Sequence, residues 1–469
     1  MSIFKKTDTI PNSDLLFSNK DLIKIMIPLI LRQVLNVTVG TADSMMVAYA
    51  GEAAVSGVSL INTLDTMLII FFTALVGGGS VIISQTLGKK DPQAANEAAK
   101  QLLYTTTIVA TLLTITVLIF RRPLLSLLFG NIEPDVMASA EIYFFIVALS
   151  FPLLAISESC GSCFHAAGNT MIALIVAVIL NIINVCGNAA LIIGFDMGAA
   201  GAALSTTLSR FFGAAIMFIL VLNKKYPVHI ERIFHYRPNF SIVKKILYIG
   251  VPNSVENTMF QFGRLLTQSL ISSMGTAVIA ANAVALTISN FQYMTGTACS
   301  SAMITVVGRC IGAGEKRQAK RYSRVILYIN YVTIWAVIIV TLLFLKPLVS
   351  VYNLSDFSSE LSRQLIFYHA IIAALIWPIG FMLPSAFRAA SDVRFSMVIS
   401  MLSMWLFRVA GGYVLALDTV SVFGLFSFSG LGLGIKGVWI AMFIDWVFRV
   451  SFFLYRYLSG KWMRSRSIV

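Results

Sequence analysis

The chain has 469 residues, 58% of them hydrophobic and only 12% charged, with a mean hydropathy of +0.84. A soluble domain carries about 25% charged residues, so the composition excludes a water-soluble fold and points to a polytopic membrane protein. The net charge of +14 then reads as membrane topology and attraction to anionic headgroups, and nucleic-acid binding is set aside.

The N-terminal arm, MSIFKKTDTIPNSDLLFSNKDL, is polar and of mixed charge, without the short apolar region and small-residue cleavage site of a removable signal peptide. Apolar windows near the roughly 20 residues that cross a bilayer follow from Leu22 onward. About twelve are expected, near 22–48, 55–83, 97–119, 139–163, 170–193, 199–222, 243–273, 278–307, 324–345, 363–387, 393–416 and 434–457. With the N-terminus inside, 25 of the 35 Lys and Arg residues fall on the cytoplasmic side and 5 outside. That bias predicts a multi-pass protein of the cell membrane (inner or plasma membrane) with both termini cytoplasmic. The five cysteines lie in or beside apolar segments and make no disulfide framework, the CxxC of Cys160 and Cys163 included.

Sliding the chain on itself by 224 residues aligns Pro28 with Pro252, Gly51 with Gly275, Gly88 with Gly312 and Ala95 with Ala319. One residue less aligns FHAAGN at Phe164 with FRAASD at Phe387. The expected fold class is therefore all-α integral membrane: two pseudo-symmetric six-helix lobes related by an axis along the membrane normal. The divisions are 1–222 for the N-lobe, 223–242 for a cytoplasmic linker, and 243–469 for the C-lobe with a basic tail. The hydrophilic stretch GRCIGAGEKRQAKRYSRV at Gly308 and its paler copy SQTLGKKDPQAANEAAKQ at Ser84 are equivalent cytoplasmic elbows. No strand precedes their glycines and no GK[ST] follows, so they read as helix stops and cationic helix entries, not as a phosphate-binding loop.

An ionisable group inside hydrocarbon is costly unless it lines a cavity or finds a partner. Asp43 lies about 30 Å along the first window from Leu22, and it can serve ion coupling or a structural ion pair. The 224 offset pairs Arg32 with Glu256; these meet across the lobe interface, or each satisfies a neighbour in its own half. His369 suits either titration near neutrality or a structural hydrogen bond. Gln292 and Tyr293, in the polar patch SNFQYMTGTACSS, are cleft candidates, and Asp445 with Arg449, four apart, suits a local ion pair.

ADSMMVAYAGEAAVSGVSL at Ala42, GTAVIAANAVAL at Gly275, VVGRCIGAGEKRQAKR at Val306, FRAASDVRFSMVISMLSMWLFR at Phe387 and GVWIAMFIDWVFRV at Gly437 resemble motifs of the multidrug and toxic compound extrusion (MATE) family. The resemblance covers nearly the whole chain. It implies two lobes around a central cleft, alternating access, and an inward flow of Na+ or H+ that drives organic cations out. It also implies that Asp43 is the first-helix acid of the family, surrounded by oxygens of Asn184, Asn188, Thr206 and Tyr143, with Na+ placed at Asp43, Asn184 and Asn188. The alternative for the two asparagines is interhelical hydrogen bonding. Some relatives carry Asp where this chain has Asn188, so the site here holds one carboxylate instead of two. Glu256 resembles the seventh-helix glutamate of one branch of the family, but it lies closer to the proline, and no second acid stands in LIFYHAIIAALIWPIGFMLPSAF. The implied partners are small organic cations and membrane lipids; no cofactor beyond the coupling ion and no oligomer is required. A lipid-linked saccharide flippase is the alternative, kept open by Arg210, Arg264 and Arg408. An integral-membrane enzyme is disfavoured because HExxH, GxSxG and clustered His/Asp motifs are absent.

Overall fold

The computed structural model describes residues 15–47, 49, 51–130, 133–231, 233, 235–422 and 426–464. The N-terminal arm before Leu15 and the end of the basic tail lie outside them. Contacts divide the described residues into two units, one of 17–254 with 312–314, the other of 15–16, 255–311 and 315–464.

The first unit is built from α1 (Asn19–Val47), α2 (Glu52–Gly88), α3 (Pro92–Phe129), α4 (Pro134–Ala148), α5 (Phe151–Ala166), α6 (Thr170–Asn188) and α7 (Gly198–Val221). Its solvent-facing pattern is that of a protein dissolved in lipid. Along α3, Ile108, Leu112, Ile115 and Ile119 are exposed on one stripe, while Gln101, Thr105, Thr106 and Thr114 are buried. The expected fourth span is two helices, α4 and α5, bent by 46° where Pro152 opens the second of them. The linker after α7 is polar yet packed. Val228 and Ile230 are buried, and one face of α3 holds its backbone: Lys100 Nζ donates to the His235 carbonyl at 2.8 Å, Gln101 to that of Arg237 at 2.7 Å, and Tyr104 to that of Ile233. The Tyr104 and Tyr236 rings stack at 4.0 Å.

The boundary between the units falls inside α8 (Phe240–Ser272). There follow α9 (Thr276–Gln292), α10 (Met294–Gly312), α11 (Lys316–Leu343), the short α12 (Leu345–Ser350), α13 (Asp356–Trp377), α14 (Leu383–Ala389), α15 (Val393–Leu402), α16 (Gly411–Ala416) and α17 (Gly434–Leu458). The eighth expected span is again a pair, α9 and α10, bent by 41° at Tyr293. Among the described residues nine helices are long and apolar enough to cross a membrane, and the two bent pairs raise this to eleven. The helix missing from that count is α8: its 33 residues span about 50 Å, but Asn253, Glu256, Asn257, Gln261 and Arg264 make it too polar. The long loop before the last span holds a hairpin, β1 (Thr419–Val422) antiparallel to β2 (Phe426–Ser429), in register Thr419 to Ser429.

The duplication reaches down to single backbone angles. Gly51 before α2 and Gly275 before α9, 224 residues apart, have φ of 90° and 95°. In the elbows, the Asp91 amide donates to Thr86 at 3.2 Å and the Glu315 amide to Cys310 at 2.9 Å, which closes equivalent helix ends. The left-handed residue of that turn is Lys90 (φ 61°) in the first elbow and Gly314 (φ 78°) in the second. Three segments with π-helical bonding, Ala189–Gly194, Pro378–Met382 and Ser403–Ala410, interrupt the helical spans. Such insertions often adjoin functional sites, and here they follow Asn188, follow Trp377 and contain Arg408.

Candidate functional site

In the first unit α1 and α6 start together: the Thr170 hydroxyl donates to the Ile25 carbonyl at 2.9 Å. Residue 43 lies as far beyond 25 as 188 lies beyond 170, so both helices advance by about 27 Å, and Asp43 arrives beside Asn188. Asn188 Nδ2 donates to Asp43 Oδ1 at 2.7 Å. The Asn184 amide, with its nitrogen turned to the same carboxylate, donates to Oδ1 at 2.6 Å and Oδ2 at 3.1 Å. The two asparagines are one turn apart, and α6 is pinned by Ser205 of α7, whose hydroxyl donates to the Asn184 carbonyl at 2.7 Å. Gly187 makes that approach possible, since a Cβ there would lie 2.5 Å from Ser205 Oγ.

Asp43 forms no ion pair among the described residues. Among the described residues its charge is met by the two amide N–H groups, and Asn188 Oδ1 is buried without a partner. A carboxylate with neutral donors and a spare amide oxygen beside it can accept a proton or a small hard cation. Metal-type clusters of three or more His, Cys, Asp or Glu are absent among the described residues, so an ion here would be held by one carboxylate and neutral oxygens.

Tyr143 and Thr206 belong to an adjoining network. The buried Tyr143 phenol donates to Asn62 Oδ1 at 2.8 Å and is hydrogen-bonded to Thr206, with Asp43 in electrostatic range. One turn along α2 from Asn62 stands Asp65, and one turn along α7 from Thr206 stands Arg210; the two pair at 2.6 Å. Arg210 also donates to Ser150 Oγ at 2.8 Å. Asn62, Asp65 and Ser150 were not among the sequence candidates. Asp65 lies inside an apolar window and meets the same criterion that singles out Asp43, whereas nothing in the sequence marks Asn62 or Ser150.

Arg32 bonds His165 Nε2 at 2.9 Å and Glu158 Oε1 at 3.5 Å, within its own unit. Glu256 lies in the field of Arg388 in the second unit, with Oε2 buried and unbonded. Each thus has a charge neighbour in its own half. His369 is buried and held: Nδ1 donates to Gln292 Oε1 at 2.8 Å, and the ring sits between Trp439 and Trp446 at 5.7 and 5.3 Å. Tyr293, at the break between α9 and α10, stacks on Trp377 at 5.3 Å with 7° between planes. Asp445 pairs with Arg449 at 2.7 Å, as the spacing predicts, and also with Arg408 at 3.0 Å, while Ser403 donates to it as well. The five coupling candidates therefore gather in the first unit, and Gln292, Tyr293 and His369 gather in the second.

The MatE family model matches residues 28–190 and again 252–414, two stretches offset by the same 224 residues as the repeat. The probable multidrug resistance protein NorM of Thermotoga maritima is 26% identical, with 98% of this chain and 96% of the relative covered. The uncharacterized transporter YisQ of Bacillus subtilis is 25% identical over 99% and 98% of the two chains. A crystal structure of MATE in the bent conformation superposes with a TM-score of 0.83 at 20% identity, over 96% of both chains. The chain belongs to the MatE family and has its two-lobed, predominantly helical membrane fold. It is a multi-pass membrane transporter by family and not an enzyme.

Proposed function

We propose that the protein is a cation-coupled antiporter of the cell membrane, with both termini cytoplasmic, which exports lipophilic, often cationic, compounds by alternating access. The observation that carries this reading is Asp43: a carboxylate near the end of α1, bound by two amides and by no cation of the described residues. Entry of Na+ or H+ neutralises it and changes its contact with the two amides: a protonated carboxyl donates as well as accepts, and Na+ draws the amide oxygens in place of the nitrogens, so the junction of α1 and α6 is rearranged at a point where α6 passes into a π-helical segment. Because the two ion states differ in these contacts, ion binding has the differential free energy needed to bias one access state. Thr206 and Tyr143 transmit the change to α2 and α7 through Asn62 and the pair of Asp65 with Arg210.

Everted membrane vesicles accumulating ethidium, with Na+ and proton gradients imposed separately, test the reading. Accumulation under one of the gradients is expected. Accumulation under neither, with the protein shown to be folded, would overturn it and favour the lipid-linked saccharide flippase.

A further inference from the structure

In the second unit the starts of α13 and α17 enclose a cavity of about 730 Å³, within the range of about 300–1,000 Å³ that ligand sites occupy. Its floor is core: Leu361 and Ile435 are buried, and Met274 packs against the same cluster. Its mouth is apolar and open, with Phe357 62% and Leu433 45% exposed. Three polar side chains complete the lining, Glu360 and Gln364 of α13 and Lys436 of α17.

These three residues head the membrane-facing stripes of their helices. At spacings of three and four, Glu360 and Gln364 continue along α13 into Phe367, Ile371 and Leu375, all exposed. Lys436 continues in the same way along α17 into Ile440, Ile444 and Val447. The cavity therefore opens where two apolar stripes reach the polar ends of their spans, the level at which acyl chain gives way to headgroup. Its polar lining holds one charge of each sign. Lys436 has no hydrogen bond or ion pair among the described residues, and a phosphate would give it one. Glu360 meets Arg363 at 3.6 Å and accepts from Gln364 at 3.2 Å. Contacts this exposed are worth little, so a primary ammonium with three N–H donors can exchange for them.

We propose that this cavity binds one molecule of phosphatidylethanolamine, with its acyl chains along the stripes of α13 and α17, its phosphate at Lys436 and its ammonium at Glu360. A choline headgroup offers Glu360 no N–H donor, and a glycerol headgroup offers it no cation. With both termini cytoplasmic, the starts of α13 and α17 face the outer leaflet. The assignment is independent of the antiport reading.

Native mass spectrometry of the full chain, released from dodecylmaltoside micelles containing equal amounts of phosphatidylethanolamine and phosphatidylcholine with the same acyl chains, tests the proposal. The first lipid retained should be phosphatidylethanolamine by at least about threefold, the scale of one exposed charge pair. Glu360→Gln should bring the two lipids to equal retention, and Lys436→Gln should lower retention of both. Lys346→Gln, a basic residue of α12 outside the cavity, should change neither. Equal retention by the wild type, an undiminished preference in Glu360→Gln, or unchanged retention in Lys436→Gln overturns the site. Preferential retention of phosphatidylglycerol over phosphatidylethanolamine would make the occupant an anionic lipid, displacement of the lipid by ethidium would make it a transported compound, and a lipid-free dimer would make it a second copy; each overturns the assignment.

Discussion

Breaking the pair of Asp65 and Arg210 by one substitution should destabilise the protein far more than removing both partners. The contact is 2.6 Å with each side chain about 10% exposed, and among the described residues Arg210 has Ser150 as its one further acceptor. Taking charge centres about 4 Å apart and an effective dielectric of 20, the Coulomb attraction is about 4 kcal/mol. Asp65→Leu leaves a guanidinium buried without a counter-charge, a loss of about 3–5 kcal/mol. The double variant Asp65→Leu/Arg210→Met buries no charge and should recover most of that loss. Denaturant unfolding of the four proteins in mild detergent, followed by tryptophan fluorescence, closes a double-mutant cycle. Additive losses, or an Asp65→Leu variant within about 1 kcal/mol of wild type, would show that the pair behaves as an exposed one and would refute the burial argument.

Gly187→Val should destabilise by about 1–3 kcal/mol through overpacking against Ser205, and by shifting Asn184 it should weaken ion dependence of transport; the thermal midpoint and the ion concentration for half-maximal efflux check both effects. Lys90→Gly should stabilise by up to about 1 kcal/mol, because the left-handed angle strains a side chain and the repeat equivalent is Gly314; unfolding midpoints read this. Tyr104→Ala removes the 4.0 Å stacking and the hydrogen bond to Ile233, a contribution of about 0.5–1.5 kcal/mol from the ring pair alone, and trypsin should then cut faster at Lys224 and Lys225. In the same linker, Lys224 and His229 hold the Glu231 carboxyl below its usual 4.5. Its contribution to docking is therefore present above pH 4.5 and lost as pH falls through the lowered value. Trypsin is unsuited to that range, so amide hydrogen exchange of residues 224–231 between pH 6 and pH 3 provides the check.

Much of the fold is legible in the sequence because the repeat and the apolar windows are long-range regularities that local ambiguity does not blur. Pro28 and Pro252, Gly51 and Gly275, and the two elbows occupy equivalent backbone positions. The breaks at Leu149 and Tyr293 are not read from the sequence, because Pro152 and the polar patch around Tyr293 are each compatible with a continuous span as well as with a bent one. Nor are the π-helical segments, which no residue type announces. The linker reads as a polar, basic cytoplasmic connection; its docking depends on Val228, Ile230 and Tyr236, three residues too few to make a pattern. At the site, Asp43 with Asn184 and Asn188 follows from intramembrane charge and helical spacing joined to the family resemblance. Tyr143 lies in electrostatic range of that carboxylate and is hydrogen-bonded to Asn62 of α2 and Thr206 of α7, and such contacts between distant segments leave no trace in spacing.

The central claim is that Asp43 couples ion movement to substrate movement. Proteoliposomes containing wild type or Asp43→Asn, loaded with a proton-sensitive or Na+-sensitive dye and given a pulse of external ethidium, measure this directly. Wild type should move one of the two ions against the direction of ethidium, and Asp43→Asn, folded and monodisperse, should move neither in response to the pulse. An Asp43→Asn protein that sustains the same ethidium-driven ion flux as wild type would contradict the account.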